Sequence, residues 1–181
     1  MKNIIIAIVI LVALGGAYWY VNQSPEMPSE TLAYANSAYG ISFSYPDTYV
    51  LEEREVGNGE RYHYAITLMD KVAAANIPQN GEGPPAINVD IFQNNLDDLT
   101  AAEWVENDSR SNFKLSPDGT LAPVIVADAE GLLYAWYGLY RGNSIVFAHG
   151  DNIIMLSVSY LTPDDAILSD FAGLVASFEL H

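Results

Sequence analysis

The segment that most constrains the fold is residues 131–160, in which three short apolar stretches are separated by turn residues. Its first stretch, GLLYAWYGLY at 131–140, is apolar at both its odd and its even positions. Successive side chains of a strand lie on opposite faces of the sheet, so this stretch has no face that suits water. The segment therefore predicts a strand in the middle of a sheet that is covered on both sides.

Two clusters of turn residues divide this segment. RGNS at 141–144 and GDN at 150–152 contain Gly and Asn, which accept the positive φ of tight hairpin turns. They predict three consecutive antiparallel strands, at 131–140, 145–149 and 153–161.

Two amphipathic helices are predicted to cover this sheet. Thr100 and Glu103 have the spacing of a capping box, with Trp104 as the core anchor of a helix within 99–113. Thr162 and Pro163 predict the start of a second helix with an apolar face. Alternating residues predict further strands at 41–45, 50–56, 61–69, 86–93 and 121–127. The predicted fold is α+β: an antiparallel sheet of about six to eight strands with helices on both faces, an α/β/α sandwich.

The amino-terminal end has a different character. Residues 4–21 form an uncharged apolar run that, as a helix, would rise roughly 27 Å, enough to span a bilayer core. The run ends in Tyr18, Trp19 and Tyr20, which suit the headgroup layer, and Lys2 supplies a positive charge before it. We expect residues 1–21 to be a single membrane anchor with its amino end in the cytoplasm and residues 22–181 outside the cell.

A cleaved signal peptide is the alternative interpretation of this end. Gly15 and Ala17 are small residues at suitable positions before a cut after Ala17, and cleavage would give a secreted domain. The apolar run continues past that position, which favours the anchor. In both cases residues 22–38, rich in Pro, Ser and small polar residues, are expected to be a flexible linker, and residues 39–181 the folded domain.

Charge and cysteine usage exclude several functions. The chain has 23 Asp and Glu against 7 Lys and Arg, a formal charge of −16, and no basic stripe. A nucleic-acid backbone would be repelled, so we expect no nucleic-acid partner. With no cysteine, disulfides, thiolate metal sites and cysteine nucleophiles are excluded.

No motif of known chemistry appears, so no catalytic, cofactor-binding or metal-ligating residue is assigned. His63 and His149 could share a metal ion only if the fold brought them together, and isolated histidines are commoner. The acidic run at 97–108 lacks the ligand spacing of a calcium loop. Ser157 and Ser159 share a strand face with Met155, but the sequence identifies no histidine partner for them.

Aromatic residues give the only candidates for partner contact. Twelve Tyr and 3 Trp exceed what a core of this size needs, and exposed aromatic side chains often mark contact surfaces. The candidate contact residues are Tyr62, Tyr134, Trp136, Tyr140, His63 and His149.

Two stretches resemble the PsbP-like family. YGISFSYPDTYVLEE at 39–53 is similar to the family's opening, in which an aromatic-Gly pair, an alternating aromatic strand and a Tyr-Pro step precede a position often filled by Trp. This chain has Tyr49 at that position. The ending resembles the family too, with a penultimate strand, a short helix rich in Asp and the terminal SFEL at 177–180. The resemblance spans residues 39–180.

This resemblance implies an antiparallel sheet between helices and an anchored domain outside a bacterial cell. Many such members have no assigned activity. The family's namesake is an extrinsic subunit of photosystem II, but no residues of this chain match a metal or cofactor motif that could be carried across.

Two functions are compatible with these features. The first is a non-enzymatic, membrane-tethered exterior domain that binds an envelope protein or a glycan. The second is an exported hydrolase that pairs a histidine with a carboxylate, for example His149 with Asp151 or with an acid of the 97–108 run. The absence of a catalytic motif favours the first.

Overall fold

A computed structural model describes residues 30–57, 62–79 and 81–181 of the chain. The expected membrane segment 1–21 and the first part of the expected linker, 22–29, lie outside the described residues. Within the described ranges, no helix has both the length and the apolar character required to cross a bilayer.

The described residues form two antiparallel sheets with a few short helices. The strands are β1 (Thr31–Asn36), β2 (Ile41–Pro46), β3 (Tyr49–Val56), β4 (His63–Asp70), β5 (Ala86–Gln93), β6 (Ala122–Val126), β7 (Ala129–Tyr137), β8 (Arg141–His149), β9 (Asn152–Tyr160) and β10 (Glu179–Leu180). The α-helices are α1 (Lys71–Ala75), α2 (Ala101–Asn107) and α3 (Ile167–Ala176), and two 3-10 turns, Ser109–Ser111 and Phe113–Leu115, follow α2.

The larger sheet has seven strands in the order β3-β4-β5-β9-β8-β7-β6, and every neighbouring pair is antiparallel. The predicted meander is confirmed as β7-β8-β9. The prediction that residues 131–140 form the middle strand is wrong, because β5 pairs with the far side of β9 and makes β9 the centre. That pairing joins strands separated by almost 60 residues of chain, and local alternation carries no information about it.

The turn predicted at 141–144 is also wrong. β8 begins at Arg141, and the connection from β7 consists of residues 138–140. Gly142 serves close packing instead of a turn: an added Cβ would lie 2.1 Å from Cζ2 of Trp136, whose ring fills that space. A glycine that permits close approach and a glycine that permits a turn look the same in a sequence.

One side of the larger sheet, here called the buried face, is apolar from strand to strand. It is packed against α3 and the smaller sheet, whose order is β1-β2-β10. Phe171 and Leu174 of α3 and Phe43 of β2 reach the same core as Leu156 at the centre of β9. Strand β1 occupies part of the segment expected to be linker, so the ordered domain begins earlier than predicted.

The opposite side, here called the groove face, has a thinner cover made by α2 and the 3-10 turns. Trp104 and Val105 of α2 are buried against Phe92 and Ile153 of the sheet. The capping box predicted for this helix is confirmed, since Thr100 accepts from the Glu103 backbone N–H and the Glu103 carboxylate accepts from the Thr100 N–H. The helix ends at Asn107 and therefore covers only part of the face.

Two smaller predictions need correction. Thr162 does not cap a helix; it belongs to a separate turn in which the Asp165 carboxylate accepts from the backbone N–H groups of Leu161 and Thr162. Helix α3 begins later, at Ile167. The loop expected at 71–85 starts with the short helix α1, which Asp70 caps by accepting two backbone N–H bonds.

Candidate functional site

The uncovered part of the groove face is a concave polar surface in the middle of the sheet. Side chains from four strands form its floor, and residues after α2 and between β7 and β8 form its walls, around a cavity of about 310 Å³. Its lining residues are His63, Asn88, Asp90, Phe92, Arg110, Asn112, Trp136, Tyr140, Met155, Ser157 and Ser159. We call this surface the polar groove.

Directly paired residues of neighbouring strands share a face, which explains why these side chains meet. Asp90 pairs with Met155, and Asn88 pairs with Ser157. Leu156 lies between Met155 and Ser157 on β9, points to the opposite side of the sheet and is fully buried. Alternation along these paired strands therefore places a polar floor and an apolar core on opposite faces of the same sheet.

His63 and Asp90 form a short hydrogen bond on the floor of the groove. His63 Nε2 lies 2.6 Å from Asp90 Oδ1, and the two side chains are only 17% and 12% exposed. The second carboxylate oxygen, Oδ2, has no hydrogen bond from any described residue and remains an acceptor. The His63 ring also packs at 4.4 Å, between ring centroids, against Phe92. The pair is therefore held in position by both a hydrogen bond and packing.

Trp136 gives the groove an aromatic floor. Its ring lies over Gly142, which has no side chain to displace it, and its Nε1–H donates to Ser144 Oγ at 3.0 Å. The hydrogen bond fixes the ring orientation. The side chain remains half-buried and lines the cavity.

Hydroxyl and amide groups complete the floor. Asn88 Oδ1 accepts from Thr67 Oγ1 at 2.9 Å, which leaves the Asn88 amide N–H groups as donors. Ser159 Oγ accepts from the Ala86 backbone N–H at 2.9 Å, whereas Ser157 makes no hydrogen bond to a described residue. The groove therefore presents donors as well as acceptors.

The wall residues Arg110 and Tyr140 are held by contacts with residues outside the groove. Arg110 donates to both carboxylate oxygens of Asp108 and lies with its guanidinium carbon 4.6 Å from the Phe92 ring centroid. Tyr140 donates from its hydroxyl to the Gly83 carbonyl oxygen at 2.8 Å, which ties the residues before β5 to the rim. These contacts give both walls a defined position.

Three of the predicted contact residues, His63, Trp136 and Tyr140, line the polar groove together. Tyr134 lies in the covered half of the same face, where it is 3% exposed and its hydroxyl donates to the Ser111 carbonyl oxygen at 2.6 Å. Burial raises the pKa of Tyr134 above its ordinary value. This tyrosine is a structural residue of the core.

The other two predicted contact residues lie elsewhere. Tyr62 borders a separate pocket beside Tyr39. His149 pairs with Asn152 at the β8-β9 hairpin and points to the face opposite His63, with β5 and β9 between the two histidines. His63 and His149 therefore cannot share a metal ion. No hydrogen bond or ion pair joins His149 to Asp151 in the described chain, which removes the first hydrolase pairing.

Sequence reasoning missed Asn88, Asp90 and Arg110. The alternation of strand β5 predicts one buried face and does not indicate what lies on the other. The structure places its polar residues in the middle of a seven-stranded sheet, where Asp90 is 9% exposed. The available signal was the coincidence of Asn88 and Asp90 on β5 with Ser157 and Ser159 on β9, but it could be used only with the strand pairing known.

Two acids of the run at 97–108 make local contacts. Glu103 completes the capping box, and Asp108 binds Arg110 and caps the first 3-10 turn. Across residues 30–57, 62–79 and 81–181, no three histidine, aspartate or glutamate side chains are grouped so that they could hold a metal ion.

Comparison by sequence finds no matching family model and no matching curated protein. Comparison by structure finds a cyanobacterial PsbP protein, CyanoP from Synechocystis sp. PCC 6803, with a TM-score of 0.54, 13% identity, and coverage of 84% of this chain and 94% of that one. A chain from Bacteroides thetaiotaomicron VPI-5482 aligns with a TM-score of 0.46 and 11% identity, and the alignment covers 86% of this chain and 49% of that one. The sequence resemblance at both ends of the domain and the Synechocystis alignment agree: this chain has a PsbP-like fold.

Proposed function

We propose that this chain is a non-enzymatic binding module held outside the cell by its amino-terminal segment, and that the polar groove binds a glycan of the envelope. The observation that carries the proposal is the groove itself. It is a concave surface in the middle of the sheet where Trp136, Asn88 and Asp90 converge.

The groove has the two kinds of group that a sugar needs. Sugar rings have apolar C–H faces that pack on aromatic rings, and Trp136 offers a ring held in a fixed orientation. Sugar hydroxyls both donate and accept, and Asp90 Oδ2, the Asn88 amide and the Ser157 hydroxyl supply both functions. A cavity of about 310 Å³ is at the small end of ligand sites and suits a short segment of a polymer.

The contacts of His63 support a binding role over hydrolysis. Its Nε2 is occupied by Asp90, and no serine hydroxyl hydrogen-bonds to it in the described chain. Nucleophilic catalysis requires the base to contact the nucleophile. We therefore treat hydrolysis as an outcome that the test must be able to detect.

The test is retention of the full-length protein, in detergent, on peptidoglycan sacculi, chitin and cellulose. We expect retention on at least one polymer, and a loss of about tenfold in affinity, equivalent to about 1.4 kcal/mol, for Trp136→Ala and for Asn88→Ala. Val72→Ser is the matched control, because Val72 is 71% exposed on α1 and lies outside the groove. Thermal unfolding of each variant separates loss of the site from loss of the fold.

The outcomes discriminate between the hypotheses. If no polymer is retained and an envelope protein is retained by the wild type but not by the groove variants, the glycan is wrong and the partner is a protein. Turnover of chromogenic esters or glycosides that disappears in both His63→Ala and Asp90→Asn would overturn the non-enzymatic assignment.

The tether has a separate test. Protease added to intact, wall-stripped cells is expected to remove the domain and leave a short membrane fragment. Cleavage only after lysis would contradict the exterior location.

A further inference from the structure

Tyrosine side chains collect at one end of the molecule, away from the polar groove. Tyr39, after β1, lies with its ring centroid 4.8 Å from that of Tyr64 on β4 and 6.3 Å from that of Tyr62. The planes of both pairs are tilted, at 35° and 42°. The three rings therefore form one aromatic cluster.

A pocket of about 340 Å³ opens at this cluster, lined by Tyr39, Tyr62, Glu55, Val56 and Gly57. It therefore combines two aromatic rings with one carboxylate. The Glu55 carboxylate is exposed and makes no hydrogen bond or ion pair with a described residue. We call this the tyrosine pocket.

A second carboxylate, that of Glu53, holds Tyr64, the neighbour of Tyr39. Glu53 Oε1 accepts from the hydroxyls of Tyr34 and Tyr64, each at 2.5 Å. These hydrogen bonds lower the pKa of Glu53, which keeps it ionised at neutral pH. The position of Tyr64, and through it that of Tyr39, is thereby fixed next to a permanent negative charge.

The Tyr39 hydroxyl stays protonated at neutral pH. Burial, and then a hydrogen bond with Tyr62, raise the pKa of Tyr39 well above its ordinary value. A neutral phenol ring has a negative face that attracts cations. The same molecule has such a contact at its other end, where the Arg141 guanidinium carbon lies 5.4 Å from the Tyr137 ring centroid.

We propose that the tyrosine pocket binds the ammonium group of a lysine side chain presented by a basic partner protein. A primary ammonium has three donors, which match the Glu55 carboxylate and the hydroxyls of Tyr39 and Tyr62, while its methylene chain packs on the rings. A quaternary ammonium has no donors and would leave these acceptors unused. The formal charge of −16 over the whole chain favours a basic partner protein.

This proposal does not depend on the polar groove. Nothing in the tyrosine pocket belongs to the groove lining, and either site could fail without the other. A domain with both sites would hold a glycan on the groove face and a basic protein at the end of the β3-β4 hairpin.

The test is an NMR titration of the full-length protein, in detergent, with three small probes. They are Nα-acetyl-lysine methylamide, its uncharged norleucine analogue and choline. We expect the lysine probe to shift the aromatic signals of Tyr39 and Tyr62, and its own side-chain protons to move upfield because they lie over the rings. Binding should weaken with added salt, since part of it is the attraction to Glu55.

Three variants locate the site. Tyr62→Leu is expected to weaken lysine binding about five- to tenfold through loss of the cation–π contact, and Glu55→Gln, which keeps the side-chain shape, about threefold. Tyr137→Leu is the matched control, because it removes an exposed tyrosine at the other end of the molecule. Glu55 is exposed, so Glu55→Gln keeps the test decisive even if Tyr62→Leu fails to fold.

Three results would overturn the proposal. The first is equal binding of the lysine and norleucine probes, and the second is unchanged affinity in Glu55→Gln and Tyr62→Leu. The third is choline binding as tight as lysine binding, which would assign the pocket to quaternary ammonium groups instead.

Discussion

The two faces of the seven-stranded sheet are built on the same strands and differ in almost every other respect. On the buried face, apolar side chains continue across the central strands and are covered by α3 and a second sheet. On the groove face, the central strands carry Asn88, Asp90 and Ser157, and α2 covers only one end. Neighbours on one strand, such as Leu156 and Ser157, therefore belong to different environments.

This difference separates stability from recognition. Burial of apolar area is the main favourable contribution to folding, and the buried face supplies most of it. The groove face keeps polar groups in the middle of a sheet, where they contribute less to stability and remain available to a ligand. We expect substitutions on the buried face to lower mainly the free energy of unfolding, and substitutions on the groove face to weaken mainly ligand binding.

The largest effect is expected for a pair of adjacent substitutions on β9. Leu156→Ala leaves a cavity in the fully buried core and should lower the free energy of unfolding by about 2–5 kcal/mol. Ser157→Ala should cost less than about 1 kcal/mol while weakening glycan retention. Urea denaturation and polymer retention measure the two quantities. Equal losses of stability in both variants would contradict the assignment of the two side chains to different environments.

Tyr134 tests whether the covered half of the groove face behaves as core. Tyr134→Phe removes the donor to the Ser111 carbonyl oxygen and should cost about 1–2 kcal/mol in unfolding free energy, without affecting retention on polymers. Tyr137→Phe, at an exposed tyrosine on the same strand, should leave stability unchanged. A large loss of retention in Tyr134→Phe would extend the ligand site beneath α2.

The thin cover of the groove face is tested through the cap of α2. Thr100→Ala removes the side chain that accepts from the Glu103 backbone N–H, and should cost about 1 kcal/mol in unfolding free energy. Thr120→Ala, at an exposed threonine whose side chain makes no hydrogen bond to a described residue, is the control. We expect hydrogen exchange in Thr100→Ala to rise first in α2, with α3 remaining protected.

The smallest effect concerns a carboxyl group at the edge of the buried face. Burial raises the pKa of Asp170 above 3.8, although a hydrogen bond from the Tyr49 hydroxyl at 2.7 Å opposes the shift. An acid whose pKa is higher in the folded state favours folding when protonated, so its contribution is lost as pH rises from 3.8 through the folded value.

Asp170→Asn should remove this pH dependence, because the amide oxygen can still accept from Tyr49 and carries no charge. Thermal unfolding between pH 4 and pH 7 should therefore show a flatter profile than in the wild type. Asp164→Asn, at an exposed aspartate in the preceding turn, should keep the wild-type profile. An unchanged profile in Asp170→Asn would contradict the shift assigned to this group.

Local features of the sequence were sufficient to predict those parts of the fold that depend on residues close together in the chain. The β7-β8-β9 meander, the Thr100–Glu103 capping box and the alternation of β5 depend on side-chain periodicity and on hydrogen bonds over three residues. The resemblance at both ends of the domain identified the fold for the same reason, since it rests on short runs of residues.

The tertiary structure decided which strands pair and which elements cover each face of the sheet. The pairing of β5 with β9 made β9 the central strand, turned the polar residues of β5 into the floor of a groove and placed His63 and His149 on opposite faces. The packing of β7 on β8 also showed that Gly142 makes room for Trp136. Alternation specifies that two faces differ, but which strands align, and what covers each face, depends on packing between residues far apart in sequence. For this reason the sequence predicted the sheet, whereas the polar groove and the tyrosine pocket emerged only from the assembled structure.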